Sequence, residues 1–334
     1  MKKLIAMILA AVMLLSLAAC GGTASTGTTP NGDASNDTPA EGWTIGICQW
    51  VQHPALDAAT KGFKDAVIAG LGETNVKFMD ENANNETTNC TSIMNSFVTA
   101  DVDLIMANAT PALAAAYNAT EIIPILGTSV TEYGVALGIE NFSGTVGGNV
   151  SGTSDLAPLD TQAQMILDWV PEAKTVGLLY CSTEPNSQYQ VDQVQKYLEG
   201  KGIECKQFAF SDASNMNAVT QSAADYADAI YVPTDNTVAT YATAIDEICR
   251  PAKVPVIAGE SGICGGCGIA TLSIDYYDLG VKTGEMAVDI LKNGADISTM
   301  AIAYTPEEKL QNLYNEQICQ SLGLTPLEGY EKLS

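Results

Sequence analysis

The chain has a single histidine, His53, and only 15 Lys plus Arg against 39 Asp plus Glu in 334 residues. One imidazole removes most zinc sites, which draw on several His or Cys ligands. A Ser-His-Asp arrangement or an all-carboxylate enzyme stays arithmetically possible. The formal charge of -24 repels phosphate backbones and anionic headgroups, which argues against nucleic acid as a partner. Walker-type phosphate loops, dinucleotide fingerprints, zinc-protease motifs and nucleophile elbows are all missing. The run from Asp80 to Asn85 begins like a calcium loop, but it lacks glycine at its sixth position and has Thr91 where the bidentate Glu belongs. No cofactor and no metal is expected. What the chain does have is length and apolar content, 46% hydrophobic, enough for two domains.

The first residues read as an address. Lys2 and Lys3 precede an apolar run, Leu4 to Ala19, broken only by Ser16. That run is shorter than the roughly 20 residues a membrane-spanning helix needs. Leu17-Ala18-Ala19-Cys20 resembles a bacterial lipobox, which implies cleavage before Cys20 and a lipid on its sulfur. The expectation is a signal peptide over 1–19 and a lipid-anchored flexible linker over 20–42, because Gly21 to Gly42 offers no apolar residue larger than Ala. The folded part would then sit at the extracytoplasmic face of the cell membrane, held by its lipid alone.

Beyond Gly42, β-branched runs alternate with helical segments, the pattern of βαβ units around a parallel sheet. The order of segments occurs twice. Thr44-Ile45-Gly46-Ile47 matches Thr175-Val176-Gly177-Leu178, Asp103-Leu104-Ile105 matches Asp228-Ala229-Ile230, and Ile123-Pro124-Ile125 matches Val254-Pro255-Val256. Thr44 to Pro124 and Thr175 to Pro255 both span 80 positions. Three matches in one order predict an α/β protein of two doubly wound, Rossmann-like lobes. Gly147 to Gly152, although glycine-rich, reads as a crossover loop.

Ligands of open α/β sheets bind beyond the carboxyl ends of the strands, where helix N-termini present free N–H groups. Two lobes facing each other would enclose a small ligand between those ends. The candidate ligand-binding residues are Gln49, Trp50, Thr110, Pro111, Thr128 and Ser129 in the first half, and Asn186, Ser187, Asp235 and Asn236 in the second. Asp155, Glu260 and Asp275 form a second rank. Thr110 before Pro111 reads as an N-cap whose helix end holds a carboxylate, and Asp235 reads as the acceptor of an ammonium. Each has an equally good reading as the cap of its own helix. Trp50 would stack on an aromatic ligand or pack at the hinge. No residue is assigned a catalytic role.

Several motifs together resemble one family: IGICQWVQHPALD from Ile45, GNVSGTSD from Gly148, EPNS from Glu184, YVPTDNT from Tyr231 and IDYYDLGVKTGE from Ile274. They are similar to the ABC-transporter substrate-binding lipoproteins that include tryptophan- and tyrosine-binding members. The resemblance implies a type I periplasmic-binding-protein fold with three crossings and delivery of an amino acid, aromatic favoured, to an ABC permease powered by its ATPase; a monomer is expected. The lobes would be 43–156 with 276–302, and 157–275 with 303–334. The sequence departs from relatives at Thr131-Glu132-Tyr133, at Cys181 and across Gly259 to Gly268, which puts the ligand's side chain in question. A tethered sensor of the same fold and an exported carboxylate-based hydrolase are the rival readings. With Cys20 lipidated, eight cysteines remain. The only close pair, Cys264 and Cys267, is open to a local disulfide, a metal or plain thiols.

Overall fold

The computed structural model describes residues 42–333. The expected leader, Cys20 and the expected tether up to residue 41 lie outside the described residues. Two sheets organise the rest. The first half runs β1 (Trp43–Gln49), α1 (Pro54–Leu71), β2 (Val76–Asn82), α2 (Thr87–Thr99), β3 (Leu104–Asn108), α3 (Thr110–Ala119), β4 (Ile125–Val130), α4 (Tyr133–Leu137) and β5 (Val150–Ser154). The second runs α5 (Leu159–Trp169), β6 (Thr175–Cys181), α6 (Pro185–Gly200), β7 (Glu204–Phe210), α7 (Ala213–Tyr226), β8 (Ala229–Val232), α8 (Asn236–Ala252), β9 (Val256–Ala258), α9 (Ser261–Gly266) and β10 (Ala270–Ser273). The chain then returns through α10 (Tyr276–Leu291) and β11 (Ala303–Tyr304), and closes with β12 (Gln311–Tyr314), α11 (Glu316–Leu322) and β13 (Glu331–Lys332).

Strand order is β11-β5-β4-β3-β1-β2 in one sheet and β13-β12-β10-β9-β8-β6-β7 in the other. Stripped of the late strands, both have the same doubly wound order. The matched aspartates have a shared physical basis. Asp103 accepts from the Thr44 N–H at 2.7 Å, and Asp228 accepts from the Thr175 N–H at 2.9 Å. Each carboxylate ties the start of its lobe's first strand to the segment entering the third.

Strands β3, β4, β5, β8 and β9 are buried along their whole length, as parallel strands covered by helices on both faces must be. Helix α1 starts on Pro54, whose missing N–H costs nothing at a helix start. It buries Leu56, Ala59, Phe63, Val67 and Leu71 at helical spacing. Its partner is α10, which arrives from the second half of the chain. The backbones approach so closely that a Cβ on Gly62 would meet the Tyr277 carbonyl oxygen at 2.1 Å, and one on Gly280 the Ala59 carbonyl oxygen at 2.0 Å.

Two expectations change. The run 147–152 is not all loop: Val150–Ser154 is strand β5, paired to β4. Gly152, at φ 145°, faces Gly127 across that pairing, and the space the two leave takes the Tyr133 ring and its hydroxyl. The first lobe also extends past 302, because Ala303 and Tyr304 pair with Thr153 and Ser154. Two-residue strands carry no hydrophobic period, so nothing in the sequence marked this one. The lobes are joined by three crossings, around residues 155–158, 274–275 and 305–310. Among the described residues, no helix is long and apolar enough to cross a membrane.

Candidate ligand-binding cleft

The carboxyl ends of both sheets face a common cleft, and the lobes touch across it. His53 Nε2 lies 3.3 Å from Asn236 Oδ1, and α4 of the first lobe packs on α6 of the second. At the crossings, the Tyr276 hydroxyl donates to Asp155 Oδ2 at 3.0 Å.

Several candidates are committed to the protein itself. Gln49 donates to Asp57 at 2.7 Å and to the Val51 carbonyl at 2.9 Å, and accepts from the Thr60 hydroxyl at 2.7 Å. It therefore braces the end of β1 against α1. Thr128 pairs with the Thr153 hydroxyl at 3.2 Å. Asp235 caps α8 through the Val238 N–H at 2.8 Å, and its other oxygen accepts from the Cys181 N–H at 2.7 Å. Burial and the neighbouring Glu184 hold its pKa well above the ordinary carboxylate range. Both oxygens thus serve backbone donors, which is the capping role. Glu260 caps α9 through the Gly262 and Ile263 N–H groups at 2.6 and 2.5 Å, and burial pushes its pKa up to about 7. Asp275 is exposed and caps α10.

Thr110 is buried at the cleft end of α3, but it is the first helical residue and Pro111, half-buried, the second. The cap is Ala109, held at φ 89°, a backbone that L side chains rarely adopt. Ser129 is likewise left-handed, at φ 53°. Strain of this kind persists where surrounding structure over-determines it, commonly around a ligand.

A different set of atoms stands out. Buried polar groups almost always find a partner. Trp50 Nε1, His53 Nδ1, Asn108 Oδ1, Ser129 Oγ, Asp155 Oδ1 and Asn186 Oδ1 have none within the protein. These are six of ten such atoms among the described residues, the others being on Trp169, Thr220, Asp246 and Thr271, and all six belong to strand ends, to the loops or helix start that directly follow them, or to the first crossing, on the cleft side of the two sheets. Asp155 is 5% exposed, and burial raises its pKa to about 6 against the pull of Thr131 and Tyr276 hydrogen bonds. Among the described residues no Lys or Arg is buried, whereas Asp155, Glu184, Asp235 and Glu260 are. Buried carboxylates with no buried cation among the described residues suit a ligand that brings its own positive charge.

Sequence reasoning missed Glu184 as a site residue. It is 2% exposed and organises the start of α8, accepting from the Asn236 and Thr237 N–H groups, the Asn236 amide and the Thr237 hydroxyl at 2.7–3.0 Å. Asn186 donates to it at 3.3 Å, while Ser187 is fully buried beside Asn186. Tyr276, which bridges the crossings, was missed too. Tyr133, a departure noted in the sequence, points into the first lobe's core and donates to the Thr153 carbonyl at 3.0 Å.

Two hollows of about 670 and 910 Å³ lie at the third crossing and share Tyr304, Thr305, Pro306 and Leu310. Of the candidate residues only Asp275 lines either. All eight described cysteines are free thiols, Cys264 and Cys267 included.

Residues 44–331 match the family described as ABC transporter substrate binding protein. A tyrosine-binding protein of Clostridioides difficile is 33% identical over 330 residues, 98% of this chain and 94% of that protein. Among solved structures, an ABC domain from Streptococcus pneumoniae in complex with L-Trp is 29% identical, covers 87% of this chain and 99% of its own, and superposes with a TM-score of 0.82. The ligand-free, open structure of a substrate-binding protein with adhesive properties from Clostridium difficile is 37% identical over 87% of this chain and 98% of its own, yet its TM-score is 0.68. The chain belongs to the ABC transporter substrate-binding proteins and has the type I periplasmic-binding-protein fold.

Proposed function

We propose that this protein captures a zwitterionic aromatic amino acid between its lobes and hands it to an ABC permease driven by a separate ATPase. One observation carries the reading: unpartnered acceptors Asp155 Oδ1 and Asn186 Oδ1 and the unpartnered Ser129 hydroxyl lie on the cleft side of a fold whose interior holds no cation among the described residues. The two acceptors suit an α-ammonium, and Ser129 with the free N–H groups at the start of α3 suits an α-carboxylate. The Trp50 indole, 6% exposed, supplies an apolar face for an aromatic side chain. The tyrosine-binding relative and the L-Trp complex support the amino-acid class.

Delivery takes place from an extracytoplasmic position, as a monomer tethered through a lipid on Cys20. Cys20→Ser would release the protein from the membrane fraction into the medium or periplasm.

The discriminating experiment is a thermal-shift and calorimetric panel of L-tyrosine, L-tryptophan, L-phenylalanine, N-acetyl-L-tryptophan and tryptamine. A ligand at 100 times its Kd adds about 2.7 kcal/mol of stability. The free amino acids should shift the melt while the acetylated and decarboxylated compounds do not. Equal binding of N-acetyl-L-tryptophan would refute the zwitterion reading.

A further inference from the structure

We propose that His53 is the positioning residue that latches the closed cleft, through a hydrogen bond from its Nε2–H to Asn236 Oδ1. The inference rests on the cleft being the ligand site.

His53 directly precedes α1 in the first lobe and is 7% exposed, and Asn236 opens α8 in the second. The two are 183 positions apart and meet at 3.3 Å. The second lobe fixes which atoms meet. The Asn236 amide nitrogen donates to Glu184 Oε2 at 2.7 Å, and its backbone N–H donates to the same oxygen at 3.0 Å. Glu184 Oε1 is occupied by the Thr237 N–H and hydroxyl, both at 2.8 Å. With its NH₂ group committed, Asn236 can present only its carbonyl oxygen, which accepts and cannot donate. His53 Nε2 must therefore carry the proton.

Burial holds the imidazole pKa below its ordinary value, although Asn236, Glu184 and Asp57 pull the other way. The neutral ring then leaves Nδ1 as a lone pair, and Nδ1 has no donor within the protein. The ring does not cap its own helix. Its one polar engagement is across the lobes, so the bond exists when they meet and is exchanged for water when they part. Such a contact lengthens ligand residence without assisting encounter, because the ligand reaches the open form first.

The test compares wild type, His53→Ala, His53→Gln, Asn236→Ala and the double alanine variant by stopped-flow fluorescence with L-tyrosine and L-tryptophan. His53→Ala should raise the dissociation rate roughly tenfold, the loss of one hydrogen bond with its partner left buried. The association rate should stay within about twofold. His53→Gln, which still offers an N–H to Asn236, should recover most of the loss. The double variant should be no worse than the poorer single one. Small-angle scattering of the ligand-free protein reads closure without any ligand, and His53→Ala should have a larger radius of gyration than wild type or His53→Gln. An unchanged dissociation rate in His53→Ala, or no recovery in His53→Gln, would overturn the latch. If neither amino acid binds wild type, the ligand reading fails by itself. The latch is then decided by scattering, where identical profiles overturn it and the stated difference upholds it.

Discussion

Asp155→Asn should push ligand affinity and ligand-free stability in opposite directions. The carboxylate sits at the first crossing with Oδ2 on the Tyr276 hydroxyl and Oδ1 unpartnered. Its pKa rises from 3.8 to about 6 through burial. At about 1.4 kcal/mol for each pH unit, holding it ionised in the fold costs about 3 kcal/mol at pH 8. Asparagine keeps the shape and the acceptor for Tyr276 without that cost. The ligand-free variant should therefore melt several degrees higher at pH 8, with the gain shrinking toward pH 4, where the folded wild type holds its proton. If Asp155 receives the ligand's ammonium, the same change leaves a buried cation without its partner, at a cost of about 3 kcal/mol, roughly 150-fold in Kd. Differential scanning calorimetry from pH 4 to 8 and titration calorimetry with L-tyrosine and L-tryptophan at pH 7.5 give both signs. A variant that melts lower, or that binds as tightly as wild type, would refute the assignment. This is the trade between stability and activity expected where a binding site keeps an unpaired charge.

Ligand-free stability of the wild type should fall as pH rises from about 4 to 8. Asp155 and Glu260 have folded pKa values raised by burial to about 6 and about 7, and Asp235 is raised as well. Raised values give stability that is complete below the unfolded pKa and lost as pH passes the folded one. The lowered pKa of His53 acts in the opposite sense below about 6.5, so a melting temperature that rises from pH 5 to 8 would mean the imidazole outweighs the carboxyls. Tyr133→Phe should cost about 1–2 kcal/mol of stability, from the stranded Thr153 carbonyl, while leaving ligand affinity unchanged in calorimetry. Gly280→Ala should destabilise by 1–3 kcal/mol or more in denaturant melts, because its Cβ would overlap the Ala59 carbonyl of α1.

The duplication was legible because it is written in local chemistry. Asp103 and Asp228 recur at matching points since each ties down its lobe's first strand, and strand-ending loops recur with their prolines. The late strands were not legible. β11, β12 and β13 have two to four residues each and exist because a sheet edge is available, a tertiary cause with no sequence period. The cleft was legible as a location but less so as a set of roles. An aspartate before a helix looks the same in sequence whether it caps that helix or awaits a ligand. Asp235 spans from α8 to the end of β6, whereas Asp155 keeps a free oxygen. Glu184 lay inside a recognised motif, yet its value comes from donors about 50 positions away.

The seam between α1 and α10 has a consequence for biogenesis. The first lobe's own helix is covered by a segment made more than 200 residues later, at distances where a Cβ on either glycine would overlap a carbonyl oxygen. Strands β6 to β10 are continuous in sequence, but their sheet is finished only by β12 and β13, near the end of the chain. Neither lobe of an emerging chain is therefore complete until its last sixty or so residues are out, since the first needs α10 and β11 and the second needs β12, α11 and β13. Truncations upstream of residue 276 should be degraded or retained by chaperones, even though they contain nearly every residue of the candidate site.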